Sequence, residues 1–474
     1  MTEGFESTPH ASERARHSGQ TMMRATSRKT RELAIASSLF LLAFAVFGLS
    51  RNLDVGDSAF SMLLSESILH RRSVFLDRYK LPGEVPHLER AIPPISPQVS
   101  GIYQLGIVNG HVIYLYPHGT SFLSLPFVAV ANLLGVHTAN AEGHYNGRGE
   151  FIIQKALATF LMALLTVITY WTARVLLPAG ESAIIAIVCV FGTQVWSSAS
   201  RAMWSSTWLI LLAQIAILEL LRSEVSERPP RAVTLATILS WMYFCRPTAS
   251  IPIAVLSVYL FWFHRRSFIA YAATGAAWAI AFFAYSLLAF GTWIPGYYAG
   301  SRLTFHDLPV HLAGLLVSPS RGLFVFVPTL GFVLYRVTRN WRWLPERRLA
   351  GAAILVAALL TLATAGYPEW WGGYSYGPRV LTDTVPWFAL LAILGLAAAP
   401  PLAVRKLGRV EACIALALAA CSIAINARGA FPQTNRWNVV ADIDHHPERA
   451  FDWSYPQFLS GLISAPQAWR GPGS

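Results

Sequence analysis

Apolar positions along this chain gather into long blocks instead of alternating with polar ones. Eleven blocks approach or reach the roughly 17–25 residues that carry a helix across about 30 Å of hydrocarbon. They run at about 33–50, 151–177, 182–199, 203–221, 232–246, 248–263, 268–290, 323–337, 349–366, 380–399 and 410–426. A further block, 120–136 (TSFLSLPFVAVANLLGV), is borderline in length.

Charge decides what that block does. If it does not cross, the basic loops fall on one side: Arg174; Arg222, Arg228 and Arg231; Arg265 and Arg266; Arg336, Arg339, Arg342, Arg347 and Arg348; Arg405, Lys406 and Arg409. The short loops opposite then hold only Arg201, Arg246, Arg302, Arg321 and Arg379. Positive charge collects in cytoplasmic loops, so 120–136 is expected to be re-entrant or interfacial. The pattern predicts an all-α polytopic protein of the cytoplasmic (inner) membrane with about 11 transmembrane helices.

Residues 1–32 are polar and expected to be a disordered cytoplasmic lead-in. The block at 33–50 is too long for a signal-peptide core and lacks a good cleavage site, which makes it a first transmembrane helix. Residues 51–150 form an extracytoplasmic loop, 151–426 hold helices 2–11, and 427–474 form an extracytoplasmic tail rich in Trp, Pro and His that reads as a folded cap. The loop begins with an amphipathic stretch, Ser58 to Ile68, and a Pro-rich one, Ile92 to Pro97. In GIYQLGIVNGHVIYLY, Asn109-Gly110 is a hairpin signal, so the loop is expected to be small and mixed α/β.

Composition narrows the function. With 54% hydrophobic and 13% charged residues, the chain falls well short of the ~25% charge of soluble domains. Its net charge of +12 is accounted for by cytoplasmic-loop arginine, with no nucleic-acid partner implied. The four cysteines lie in or at the ends of apolar blocks, without metal-type spacing. No Walker A, Rossmann glycine pattern or Gly-x-Ser-x-Gly elbow occurs, so no soluble-nucleotide site is evident.

Three constellations carry candidate chemistry. Asp54 and Asp57 sit just beyond the first span on a Gly-containing turn. Carboxylates there serve as base or metal ligand, or Asp57 caps the following helix. The lone arginines opposite the basic loops (Arg201, Arg246, Arg321 and Arg379, with Lys155 just inside a helix end) suit anionic cargo, because guanidinium forks match phosphate oxygens. The loop Tyr367-Pro-Glu-Trp-Trp-Gly-Gly-Tyr-Ser-Tyr-Gly-Pro-Arg379 offers Glu369, Trp370, Trp371, Tyr374 and Tyr376 as a sugar- or lipid-binding surface, as against membrane-interface anchors. His118, in Tyr116-Pro117-His118-Gly119, approaches Asp57 if the loop folds back. No spacing demands a cofactor; Asp54, Asp57 and His118 are the groups that would hold a divalent metal.

In order, Gly56-Asp57, Ser-Glu-Ser-Ile-Leu (65–69), Tyr-Pro-His-Gly-Thr (116–120), Arg246-Pro247-Thr248, Ser-Pro-Ser-Arg-Gly-Leu (318–323) and Trp-Trp-Gly-Gly-Tyr-Ser-Tyr-Gly-Pro-Arg (370–379) resemble the polytopic GT-C glycosyltransferases. The likeness is to bacterial relatives of the protein O-mannosyltransferases and lipid A aminoarabinose transferases, of the glycosyltransferase family 39 type. That resemblance implies a polyprenyl-phosphate-linked sugar as donor, a lipid, glycan or protein as acceptor, and the acidic residue of the first external loop, Asp57, as catalytic base. Many members carry Asp-Glu where this chain has Asp57-Ser58, leaving Asp54 as the supporting acid. The alternative from another class is a transporter or flippase for a phosphate-bearing lipid, using the same arginines without bond chemistry.

Overall fold

The computed structural model describes residues 9–52, 55–92, 101–299, 303–398 and 408–469. In chain order, α1 (Pro9–Leu49) leads to a short α2 (Ser61–Arg71), the hairpin of β1 (Leu105–Val108) and β2 (His111–Tyr114), and α3 (Gly119–Leu133). Then come α4 (Gly147–Arg174), α5 (Ala179–Phe191), α6 (Ser205–Val225), α7 (Ala232–Cys245), α8 (Ser250–Phe263) and α9 (Arg265–Phe290). They are followed by α10 (Leu308–Val317), α11 (Leu323–Phe326), α12 (Thr329–Arg339), α13 (Arg347–Ala365), α14 (Val385–Ala397), α15 (Arg409–Arg428) and α16 (Gln433–Ala441).

Every predicted apolar block is helical, but not all are equally fit to cross a bilayer. Among the described residues, six helical stretches are long and apolar enough: Lys29–Leu49, Gly147–Arg174, Arg265–Phe290, Arg347–Ala365, Arg379–Ala397 and Arg409–Arg428. At 1.5 Å per residue, the 13 residues of α5 reach only about 20 Å, short of a full crossing, and a π-helical turn follows it at Val195–Ala199. The apolar helix α10 has no counterpart among the predicted blocks, because ten residues fall below any spanning length. Residues 9–32, expected to be disordered, continue α1 as helix.

The helices sort by burial. The span ending in α14 is 72% buried, while those of α1, α9 and α15 are 22%, 22% and 17% buried. On these outer helices Leu41, Ile269, Ile280, Leu288 and Leu416 are all more than half exposed. In water such a surface would drive aggregation; around a membrane bundle it faces acyl chains.

Polar contacts mark the two ends of the bundle. At one end Arg174 pairs with Glu32 at 2.5 Å, His264 with Glu224 at 2.6 Å, and Arg336 with Glu411 at 3.5 Å. The other end of α4, about 40 Å away along its 28 residues, carries Glu150, Gln154 and Lys155. The long loop packs there.

Two expectations for that loop meet different outcomes. The hairpin forms as predicted, with Leu105 opposite Tyr114 and Val108 opposite His111. Asn109 and Gly110 turn it at φ 53° and 81°, the left-handed pair a two-residue turn requires. The amphipathic helix is different: in α2 every residue from Ser61 to Ser67 is buried. Its polar residues are consumed inside the fold. Glu66 accepts from the Thr138 amide at 2.7 Å and its hydroxyl at 2.8 Å, and Ser65 donates to the Ser121 carbonyl at 2.8 Å. Gly119 lets α3 press onto α7, since a Cβ there would lie 2.3 Å from the Phe244 carbonyl carbon.

Candidate functional site

Asp57 lies on the turn between α1 and α2. The alternative use for it was to cap α2, but that cap comes from elsewhere. Glu150, in the first turn of α4, accepts from the amides of Met62 at 3.0 Å and Leu63 at 3.1 Å, one with each carboxylate oxygen. Gln154, one turn along, fixes the turn itself: it accepts from the Ser58 hydroxyl at 2.9 Å and donates to the Ser58 carbonyl at 2.8 Å. With the orphan amides of α2 met from α4, the Asp57 carboxylate is directed into the loop.

There it meets phenols and a guanidinium. Tyr116 donates to Oδ1 at 3.2 Å and Tyr103 at 3.4 Å, and Arg379 Nη1 stands 3.7 Å from Oδ2. Tyr114 donates to the Asp57 backbone carbonyl at 2.7 Å. Tyr114 ends β2 and Tyr116 follows two residues on, and both phenols reach Asp57. Burial first, and the Asp57 charge second, push both phenols well above their ordinary range, so both remain proton donors at neutral pH. The Asp57 side chain keeps 38% of its surface exposed.

Arg379 begins the turn Arg379–Thr384 that feeds α14. It stacks on Trp204 at 4.0 Å and donates to the Gly372 carbonyl at 2.8 Å. Arg246 reaches the same area from the break between α7 and α8. Pro247 disfavours the helical conformation at the residue before it, and Arg246 is extended (φ −161°, ψ 130°). Its Nε pairs with Asp383 Oδ2 at 2.9 Å and its Nη1 donates to the Ser205 hydroxyl at 3.0 Å. Thr248 donates to the same Asp383 oxygen at 2.7 Å. Asp57 and Tyr297 are close enough to add to the field at Arg246.

The other predicted cations have different surroundings. Arg201 is fully buried, with Nε donating to the Trp196 carbonyl at 2.9 Å and Nη1 approaching the Asn52 carbonyl at 3.4 Å. Lys155 donates to the Phe47 carbonyl in the last turn of α1 at 2.7 Å. Both brace the segment that leads to Asp57. Arg321 lies beneath the C-terminal tail and takes the Trp371 and Gly373 carbonyls, on either side of the Gly372 carbonyl that Arg379 takes. It is fully buried and donates to the carbonyls of Trp371, Ser320 and Gly373 and to the side chains of Gln457 and Asn438, at 2.7–3.2 Å.

That tail is the folded cap its composition suggested. Trp437, fully buried, donates to the Tyr455 carbonyl at 2.8 Å, and Gln457 donates to the Ser375 carbonyl at 2.8 Å. The aromatic loop is drawn into it. Trp370 is buried against Phe451 and His311, and Tyr376 is buried with its hydroxyl on the Ile425 carbonyl at 2.6 Å. Trp371 donates to Asp444 at 2.9 Å. Glu369 is half-buried, and Tyr374 is exposed. Of the five residues expected to form a sugar- or lipid-binding surface, Trp370 and Tyr376 are packing residues.

His118 is buried one residue removed from Asp57. Its Nε2 donates to the Tyr114 carbonyl at 2.8 Å and its Nδ1 accepts from the Tyr285 hydroxyl. Burial pushes its imidazole down to about 4, so it is neutral and both nitrogens are committed. It positions Tyr114. Asp54 and Arg302 lie outside the described residues. Among the described residues, no group of three or more His, Cys, Asp or Glu is arranged to hold a metal ion.

Sequence reasoning passed over Tyr103, Trp204, Glu150 and Asp383. For Asp383 a signal existed: an ionisable residue inside an apolar block is a functional candidate by default. Comparison with protein-family models, with curated proteins and with solved structures finds no match to this chain.

Proposed function

We propose that this chain is a membrane glycosyltransferase that moves a sugar from a polyprenyl-phosphate donor to an acceptor hydroxyl at the extracytoplasmic face. The observation that carries the reading is the Asp57 carboxylate. It is relieved of helix capping by Glu150, turned toward Tyr103, Tyr116 and Arg379, and still more than a third exposed. The motif order described above supports the same family of reactions.

In this reading Asp57 takes the proton of the acceptor hydroxyl as its oxygen attacks the anomeric carbon. The bond from that carbon to the phosphate oxygen breaks, the electron pair leaves with the phosphate, and the anomeric centre inverts. General-base assistance of this kind is worth about 10²–10⁴-fold. Arg379 and Arg246 face the phosphate, where charge builds during bond breaking and where fixed cations contribute most. A protonated Asp57 attracts Arg379 less, so the guanidinium moves to the phosphate as its charge grows. Tyr103 and Tyr116 hold Asp57 in place.

The eleven crossings predicted from charge parity put this end of the bundle outside, where a lipid-linked sugar needs no nucleotide. The test uses the full chain in proteoliposomes with polyprenyl-phosphate sugars bearing a radiolabelled hexose or pentose. Loss of label from the donor lipid into an acceptor fraction, abolished by Asp57→Asn in a folded protein, is the expected result. Redistribution of intact labelled lipid between leaflets, without new bonds, would replace the enzyme with the transporter.

A further inference from the structure

We propose that Asp383 is the positioning residue of the phosphate-binding arginine, holding Arg246 so that one nitrogen remains for an anionic lipid head. The inference rests on the donor reading above and deepens it by assigning a second acid in the site a role distinct from that of Asp57.

The argument starts from local geometry. Arg379 and Asp383 are the first and fifth residues of one tight turn, Arg379–Thr384. From that single element they present opposite charges to two separate partners, Asp57 at 3.7 Å and Arg246 at 2.9 Å. The turn therefore links the acid proposed as base to the cation proposed as phosphate ligand.

Asp383 is built for holding and not for proton transfer. Its side chain is only 4% exposed, and one oxygen, Oδ2, receives both the Arg246 Nε and the Thr248 hydroxyl. Its other oxygen, Oδ1, is buried without a hydrogen-bond partner among the described residues. Arg246 keeps 21% of its side chain exposed. Nε and Nη1 are engaged by Asp383 and Ser205, and Nη2 makes no hydrogen bond to the described residues.

An arginine side chain carries about 2 kcal/mol of rotamer entropy. Fixing two of its nitrogens before the ligand arrives removes most of that cost from the binding step. An acid placed beside a ligand-binding cation would otherwise compete with the anion; here Oδ2 is already taken by Nε and the Thr248 hydroxyl, and Oδ1 is buried.

The experiment measures equilibrium binding of decaprenyl phosphate to the full chain in nanodiscs, alongside transfer kinetics. Asp383→Asn is expected to weaken binding about tenfold, the loss of one charge-assisted hydrogen bond. It should raise the donor KM by a similar factor while kcat changes less than about threefold, and Asp383→Glu should recover part of the loss. On an Arg246→Ala background, Asp383→Asn should add nothing, because both changes remove one interaction. Should Asp383→Asn fail to fold, Thr248→Val removes only the second donor to the same oxygen, and about a threefold loss is expected. Binding that is unchanged or tighter in Asp383→Asn, or losses that add fully with Arg246→Ala, would overturn the inference while leaving the donor reading standing. A wild-type chain that binds no prenyl phosphate would overturn the donor reading and this inference with it.

Discussion

Arg321 and Arg379 look alike in the sequence, each a lone arginine flanked by Gly, Pro or Ser beside an apolar block. In the structure they are opposites. Arg321 is fully buried, and each of its three nitrogens donates to a carbonyl or amide oxygen, among them Trp371, Ser320, Gly373, Gln457 and Asn438. It pins the aromatic loop to the C-terminal cap. Arg379 is 17% exposed, stacks on Trp204, makes one hydrogen bond to a carbonyl, and faces a carboxylate at 3.7 Å, beyond hydrogen-bond length. A saturated guanidinium holds a fold; the unsaturated one beside an exposed acid is the one that, in the proposed reading, meets the donor phosphate.

The strongest way to break this contrast is at the acid itself. Asp57→Asn should lower transfer about 10²–10⁴-fold with the thermal midpoint little changed, because the cap of α2 belongs to Glu150. A large loss of thermal stability in Asp57→Asn would instead make Asp57 structural. At the saturated end, Arg321→Ala leaves the carbonyls of Ser320 and Trp371 without another donor among the described residues and removes the tie to Gln457 and Asn438 of the cap. With two buried carbonyls unmet, it should cost about 2–5 kcal/mol and appear as poor accumulation in the membrane and a lowered unfolding temperature. Arg379→Ala should invert that pattern, with near-normal accumulation and donor binding weakened about tenfold or more. If the two variants behave alike, the distinction between them fails.

A smaller effect belongs to His118. Burial holds its imidazole at about 4, against 6.5 for the ordinary group, so between these values the unfolded chain binds the extra proton. Stability of the loop is therefore full above about pH 6.5 and falls as pH drops toward 4. By pH 5 about 2 kcal/mol should be gone. Proteolysis of the loop as a function of pH reads this directly, and His118→Gln should flatten the profile. Smallest of all, Tyr374→Ala, at an exposed ring (48%), should change stability by no more than about 0.5 kcal/mol.

The parts of this molecule legible from sequence are those fixed by local pattern. The apolar blocks are helices, Asn109-Gly110 turns a hairpin, and the Trp-rich tail folds, because each rests on periodicity or on the φ a residue allows. What pattern did not reveal depends on contacts across long separations. The polar face of α2 suggested a wetted helix, yet Glu66 and Ser65 are spent on Thr138 and Ser121. Trp370 and Tyr376 suggested an open binding surface, yet Trp370 is buried against Phe451 and His311, and Tyr376 against Phe326. The site was legible by residue type and not by partner. Asp57 and Arg379 were named from their motifs, whereas Tyr103, Glu150 and Asp383 gain their roles only when α4, the hairpin and the turn before α14 meet at one end of the bundle.

The central claim is that Asp57 serves as a base at a lipid-phosphate sugar site. Its most direct test is the radiolabel assay in proteoliposomes, run in parallel for the wild type and Asp57→Asn with matched folding and matched binding of decaprenyl phosphate. The account predicts transfer of label by the wild type, and its loss in Asp57→Asn with the lipid still bound. Equal transfer by both proteins would contradict it.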